Sequence, residues 1–215
     1  MGLTLTTLAW WLPTALGLDP NAEQNPELMR PPDPIVACEQ RLTNSGVEFD
    51  SGRIPLHEGK AGFTCGAPQV VRYIRGPGDI SYGGRPKMAC PLALAMADFE
   101  SILQDEAKRH LGSTVKSIRH VGTYNCREMA AYDGWISEHS YANAIDIKSF
   151  TLADKRVLTV KDTYLSDTPE GEFMRSMAQR AYREVFSVVV TPATPDGMHK
   201  AHLHFDMAHY TFDGS

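Results

Sequence analysis

His139 and Asp146 stand seven residues apart in the stretch Ser137-Glu138-His139-Ser140-Tyr141-Ala142-Asn143-Ala144-Ile145-Asp146, and an imidazole and a carboxylate can share one metal ion. From Ala144 to Lys148 apolar and polar residues alternate with the period of a strand, which turns Ile145 and Ile147 toward a core and Asp146 to the other face. Two donors do not hold an ion, so a third is required. It is offered by His199-Lys200-Ala201-His202-Leu203-His204-Phe205-Asp206, where a strand puts His202, His204 and Asp206 on one face and Leu203 and Phe205 on the core face. Two His and one Asp with a fourth position open is the ligand count of a catalytic zinc site, since structural zinc sites close all four. Zinc in such a site lowers the pKa of a water toward about 7 and yields a nucleophile at neutral pH. The expected ligands are His139, Asp146 and His204.

The order Ser-x-His, Ala-x-Asp and a distal His-x-His resembles the signature of the LAS metallopeptidases (lysostaphin, D-Ala-D-Ala metallopeptidase, Sonic hedgehog). Together with Tyr124-Asn125-Cys126-Arg127, Asn143-Ala144-Ile145-Asp146-Ile147 and His202-Leu203-His204-Phe205-Asp206, it resembles more closely the bacterial extensin-like C-terminal domain family, from about Cys38 to the end of the chain. The resemblance implies a hedgehog/DD-peptidase-like fold and a zinc-dependent peptidase or amidase acting on the peptides of cell-wall peptidoglycan. The other reading is a metal-stabilised wall-binding module that does not cleave. Some relatives place a Glu three residues before the last ligand, a position held here by Ala201. By the resemblance His202 takes the general acid-base role instead, with His199 stabilising the oxyanion or orienting His202. Arg127 precedes the site in the order seen where an arginine clamps a substrate carboxylate, a task its two-pronged guanidinium suits. Asp206 is expected to orient His204 through its second ring nitrogen and Ser137 to brace the loop. Glu138, beside a ligand on an extended segment, is expected to point elsewhere. One departure is Ala142, which stands where the wider signature has Gly, so a positive φ there would strain the backbone or rearrange the loop.

The elements that must position these residues are those of one α+β domain. The chain has 215 residues, enough for one substantial core. Its formal charge of −5, from 21 basic and 26 acidic residues without a basic run, argues against nucleic acid as a partner. Residues 1–18 are uncharged and largely apolar after the start and read as an export signal or a short membrane anchor, which puts the domain in the periplasm, outside the cell or on a membrane. Residues 19–34, with Arg30-Pro31-Pro32-Asp33-Pro34, read as a Pro-rich linker, and 35–215 as the folded, monomeric domain. Cys38, Cys65, Cys90 and Cys126 lack any Cys-x-x-Cys pair; with export they read as two disulfides. The pairing expected is Cys38 with Cys65, from one N-terminal subregion, and Cys90 with Cys126, which flank one helix-strand unit.

Short strands and turns are expected from Cys38 to Pro86. An amphipathic helix runs from Pro91 to His110 with a Gly112 stop, and Asp98, Glu100, Asp105, Glu106, Lys108 and Arg109 form its solvated face. A strand covers Thr114–Val121, a hairpin partner of the Asp146 strand covers Arg156–Lys161, and a second helix covers Pro169–Phe186. Val188–Val190 is a buried strand and Thr191–Met198 the loop that delivers the histidines. Two helices packed on one side of a small, mainly antiparallel sheet is the expected architecture.

Overall fold

The structure, a computed structural model, describes residues 34–215 apart from Ala61, Ala131 and Asp196. The expected export signal or anchor and all but the last residue of the expected linker lie outside the described residues. In chain order the elements are α1 (Pro34–Asn44), β1 (Glu48–Glu58), β2 (Thr64–Arg75), β3 (Ser81–Tyr82), β4 (Lys87–Met88), α2 (Cys90–Leu111) and β5 (Val115–Gly122). There follow β6 (Glu128–Met129), β7 (Tyr132–Ile136), a 3-10 turn (Glu138–Tyr141), β8 (Ala144–Leu152), β9 (Val157–Thr159), α3 (Val160–Thr163), α4 (Pro169–Glu184), β10 (Val188–Val190), β11 (Leu203–Asp206) and β12 (Phe212–Gly214).

The fold is α+β. Among the described residues ten strands form one mostly antiparallel sheet in the order β1-β2-β3-β5-β8-β11-β10-β12, with β4 on β2 and β9 on β8. The β3–β5 and β10–β12 pairs are parallel, and β6 pairs β7 in a separate ribbon. Ile145 and Ile147 of β8, Phe99 of α2, Phe173 of α4 and Phe205 of β11 meet in one buried core, so β8 lies under the helices and turns Asp146 and Lys148 to the opposite face. Phe99 touches both Phe205 and Phe186 edge-on, with ring centroids 5.3 and 5.7 Å apart. That packing fixes β11 against α2 and thereby fixes the face on which His204 stands.

The Pro91 helix begins as its sequence implies and ends at Gly112, whose φ of +62° gives the left-handed cap that glycine allows. Its polar side is not all solvated, however. Glu100 and Glu106 are buried. Glu100 accepts bonds from Tyr82 Oη at 2.8 Å, Gly78 N at 2.8 Å and Tyr73 Oη at 3.3 Å, and Glu106 is paired with Arg109 and with Arg180 of α4. Apart from Arg109, these partners come from distant segments, which is why helical periodicity alone assigned both carboxylates to water.

The N-terminal region also departs from the expectation of strands and turns, since it opens with helix α1, which buries Cys38 and Leu42 one turn apart. That helix explains the disulfides. Cys38 bonds Cys90 and Cys65 bonds Cys126, not Cys38 with Cys65 and Cys90 with Cys126. Because α1 packs on the start of α2, Cys38 meets Cys90, while β2 carries Cys65 to the segment that follows β5. Two disulfides are the mark of a periplasmic or extracellular domain. No helix among the described residues is long and apolar enough to cross a membrane.

Candidate metal centre and its cleft

His204 and Asp146 are direct neighbours across the β11–β8 ladder. Their side chains point away from the core, and His204 Nδ1 lies 3.0 Å from Asp146 Oδ1. His139 arrives from the 3-10 turn, whose first amides are met by Ser137: the Ser137 hydroxyl accepts from His139 N at 3.4 Å. His139 Nε2 is 3.2 Å from both Asp146 Oδ1 and His204 Nδ1. Three donor atoms from three segments thus converge with separations of 3.0–3.2 Å, close to the roughly 3.3–3.4 Å edge of a tetrahedron built on metal–ligand distances of 2.0–2.1 Å. The donor chemistry fits too, being two imidazoles and one carboxylate. His204 Nε2 donates to Asp206 Oδ2 at 2.9 Å, which leaves Nδ1 as the nitrogen that faces the cluster.

The electrostatics agree with a cation-binding cluster. Burial raises the Asp146 carboxyl, but hydrogen bonds from His139 and His204 outweigh it and hold the group well below the usual carboxylate range. Burial lowers the His204 imidazole, yet Asp146 and Asp206 on its two sides bring it up to about 9. His202 is pushed down, chiefly by burial.

Asp146, His204 and Asp206 line a cleft of about 620 Å³, with His139 buried behind them. His202 stands on its open side, with Nε2 3.8 Å from Asp146 Oδ1, beyond hydrogen-bond reach but adjacent to the cluster. His199 faces His202 and His204 at ring-centroid distances of 4.9 and 5.8 Å. Arg127 lines the cleft and donates from Nη1 to Glu128 O at 3.1 Å. All eight residues expected at the site are therefore drawn to one place.

A comparison with protein families matches residues 36–214 to the family described as extensin-like protein C-terminus. The chain belongs to that family. Neither the curated proteins nor the solved structures give a match to this extensin-like chain.

The extensin-like domain also contains parts of the site that the sequence reading missed. Glu138 does line the cleft, because residues 138–141 form a tight turn and not an extended segment, so successive side chains need not point to opposite sides. Its carboxylate accepts from Asn143 Nδ2 at 2.7 Å, and burial raises its pKa. Behind the turn, Ser140 Oγ donates to Arg127 O at 2.9 Å and accepts from Arg127 N at 3.0 Å, while Asn125 N donates to His139 O at 3.0 Å. The Ser after the His was the available signal. Ala142 has φ +55° and is buried against Ile54, Ala67 and Val70: the left-handed conformation is present without glycine, and the methyl fills an apolar niche.

A second grouping, His57 with Cys65 and Cys126, also brings metal-ligand types together. Its sulfurs are joined in a disulfide and offer no thiolate, so in the oxidised domain it is not a comparable site.

Proposed function

We propose that this extensin-like domain is a zinc-dependent peptidase or amidase acting on peptides of the bacterial cell wall, peptidoglycan stems being the substrate class. The observation that carries the reading is the convergence of His139 Nε2, Asp146 Oδ1 and His204 Nδ1 at the floor of a cleft, with a further histidine, His202, left over beside them. A module that only needs a metal for stability has no use for that fourth group. The LAS-like order of the ligands in the chain supports the same reaction class.

Zinc held by these residues would polarise the scissile carbonyl and acidify the attacking water. His202, on the open side of the cluster, takes the proton of that water and returns it to the leaving nitrogen. His199, beside it, steadies the ring or the developing oxyanion. Arg127 holds a substrate carboxylate through its guanidinium, and Asp206 keeps the His204 ring in register with the other donors.

The test has two stages. Natively purified protein is analysed for metals and titrated with zinc, with uptake of about one equivalent expected. Muropeptides are then incubated with the loaded protein and followed by mass spectrometry for hydrolysis. Less than a tenth of an equivalent, without uptake on titration, defeats the metal reading. Full loading without cleavage defeats the enzyme and leaves a binding module.

A further inference from the structure

Ten large apolar side chains are exposed among the described residues, and five of them, Tyr132, Trp135, Met198, Tyr210 and Phe212, line the cleft above the His–Asp cluster. Exposed apolar residues are ordinarily scattered singly, and a concentration at one cleft marks a surface that a ligand covers. The aromatic wall is built by the β6–β7 ribbon and the segment before β12. In a regular strand residues 132 and 135 would face opposite ways, but Gly134 between them has φ +79°, and both rings reach the cleft. Trp135 meets Tyr210 edge-on at 6.0 Å and 82°, and Tyr132 at 6.4 Å and 53°. Such tilted contacts fix the rings without stacking them on one another, so faces stay open. Tyr132 and Trp135 are 59% and 57% exposed.

We infer that this wall is a subsite for a saccharide ring, carried by the substrate next to the group presented to His139, Asp146 and His204. The wall is continuous with that centre, so what covers it is the flank of whatever the centre receives; the inference rests on the proposed substrate cleft. The chemistry of the wall selects the flank. An apolar side chain is best held by an enclosed aliphatic pocket, whereas this rim is half wet and built from rings with polar edges, the Tyr hydroxyls and the Trp indole N–H. A pyranose has the matching character, with an axial C–H face for the rings and equatorial hydroxyls that remain in water or meet Thr211, Glu138 and Arg127 in the same cleft.

The probe is the trimer of N-acetylglucosamine, titrated by calorimetry into metal-stripped full-length protein, so that binding is read without hydrolysis. A dissociation constant on the order of 1 mM is expected, weakened about tenfold by Trp135→Ala, partly restored in Trp135→Phe and unchanged in Leu165→Ala, an exposed apolar position outside the cleft. Circular dichroism of each variant confirms folding, which the exposure of Trp135 favours. The subsite is refuted by no binding at 10-fold higher sugar than that constant, by equal affinity in Trp135→Ala, or by displacement of the sugar by N-acetyl-leucinamide at lower concentration. Because zinc is absent, loss of the sugar signal and loss of hydrolysis in the earlier test are independent results.

Discussion

Asp206 Oδ2 lies 2.9 Å from His204 Nε2, on the far side of the ring from the nitrogen that faces Asp146. Its other oxygen accepts from Ala208 N at 3.0 Å, so the carboxylate is itself held from behind. Replacement by alanine should free the ring and lower zinc affinity by about 10- to 100-fold. Competition with a chromophoric chelator measures this directly. An affinity within twofold of wild type would show that the ring is held by packing alone.

His202 is expected to behave differently from His139, Asp146 and His204. In His202→Ala, hydrolysis should fall by about 10²- to 10⁴-fold while metal content stays near one equivalent, because its Nε2 is 3.8 Å from Asp146 and outside the converging triad. Muropeptide turnover and elemental analysis of the same preparation separate the two effects. Cleavage at the normal rate would move the proton-carrying role to another group, with Glu138 next in line.

Stability should depend on pH through Glu100. Burial raises its carboxyl from 4.5 to about 7, against the lowering effect of the Tyr82, Gly78 and Tyr73 hydrogen bonds. The unfolded chain loses this proton near 4.5 and the folded chain near 7, so between those values unfolding releases a proton and stability falls as pH rises. The contribution is fully present below 4.5 and lost above 7, an amount of order 3 kcal/mol. Urea midpoints at pH 5 and pH 8 should differ less in Glu100→Gln than in wild type. An equal difference would place the carboxylate ionised in the folded state.

Ala142 combines two opposing terms. A left-handed φ costs an L-residue about 1–2 kcal/mol, while the buried methyl contributes about 0.8 kcal/mol and glycine adds unfolded-state freedom. Ala142→Gly should therefore change stability by less than about 1 kcal/mol, and Ala142→Val, β-branched at the same φ, should destabilise by more than about 2 kcal/mol. Thermal melts decide this. A large gain in the glycine variant would mean that the niche around Ile54 and Val70 collapses at no cost.

The two disulfides should not be equivalent. Non-reducing peptide maps are expected to show Cys38 joined to Cys90 and Cys65 joined to Cys126. Cys126 sits between Asn125 and Arg127, whose backbones hold His139 and Ser140. The double Ser variant of Cys65 and Cys126 should thus weaken zinc binding several-fold at matched stability, and that of Cys38 and Cys90 should leave it unchanged. Equal losses in the two pairs would assign both bonds to global stability alone.

Two of the three converging residues were legible because each sits in a short strand whose period places it without knowledge of the rest. Asp146, flanked by Ile145 and Ile147, and His204, flanked by Leu203 and Phe205, each declare their face. What was hidden depends on contacts between segments far apart in the chain. The burial of Glu100 needs Tyr73 and Tyr82 from other strands, the Cys38–Cys90 bond needs α1 on α2, and the aromatic wall needs Trp135 and Tyr210 to meet. Glu138 was misread because an extended backbone was assumed where the chain coils into a 3-10 turn.

The β8–β11 ladder has a consequence for the order of events as the chain folds. Asp146 and His204 are 58 residues apart in sequence and become neighbours only when β11 docks beside β8 in mid-sheet. Pairing at that separation has a high loop-closure cost and comes after local helices and hairpins. An ion held by His139, Asp146 and His204 could not serve as a nucleus for folding, since early species would lack the third donor. Loading would be a late step, governed by the metal concentration in the compartment where the polypeptide completes its sheet.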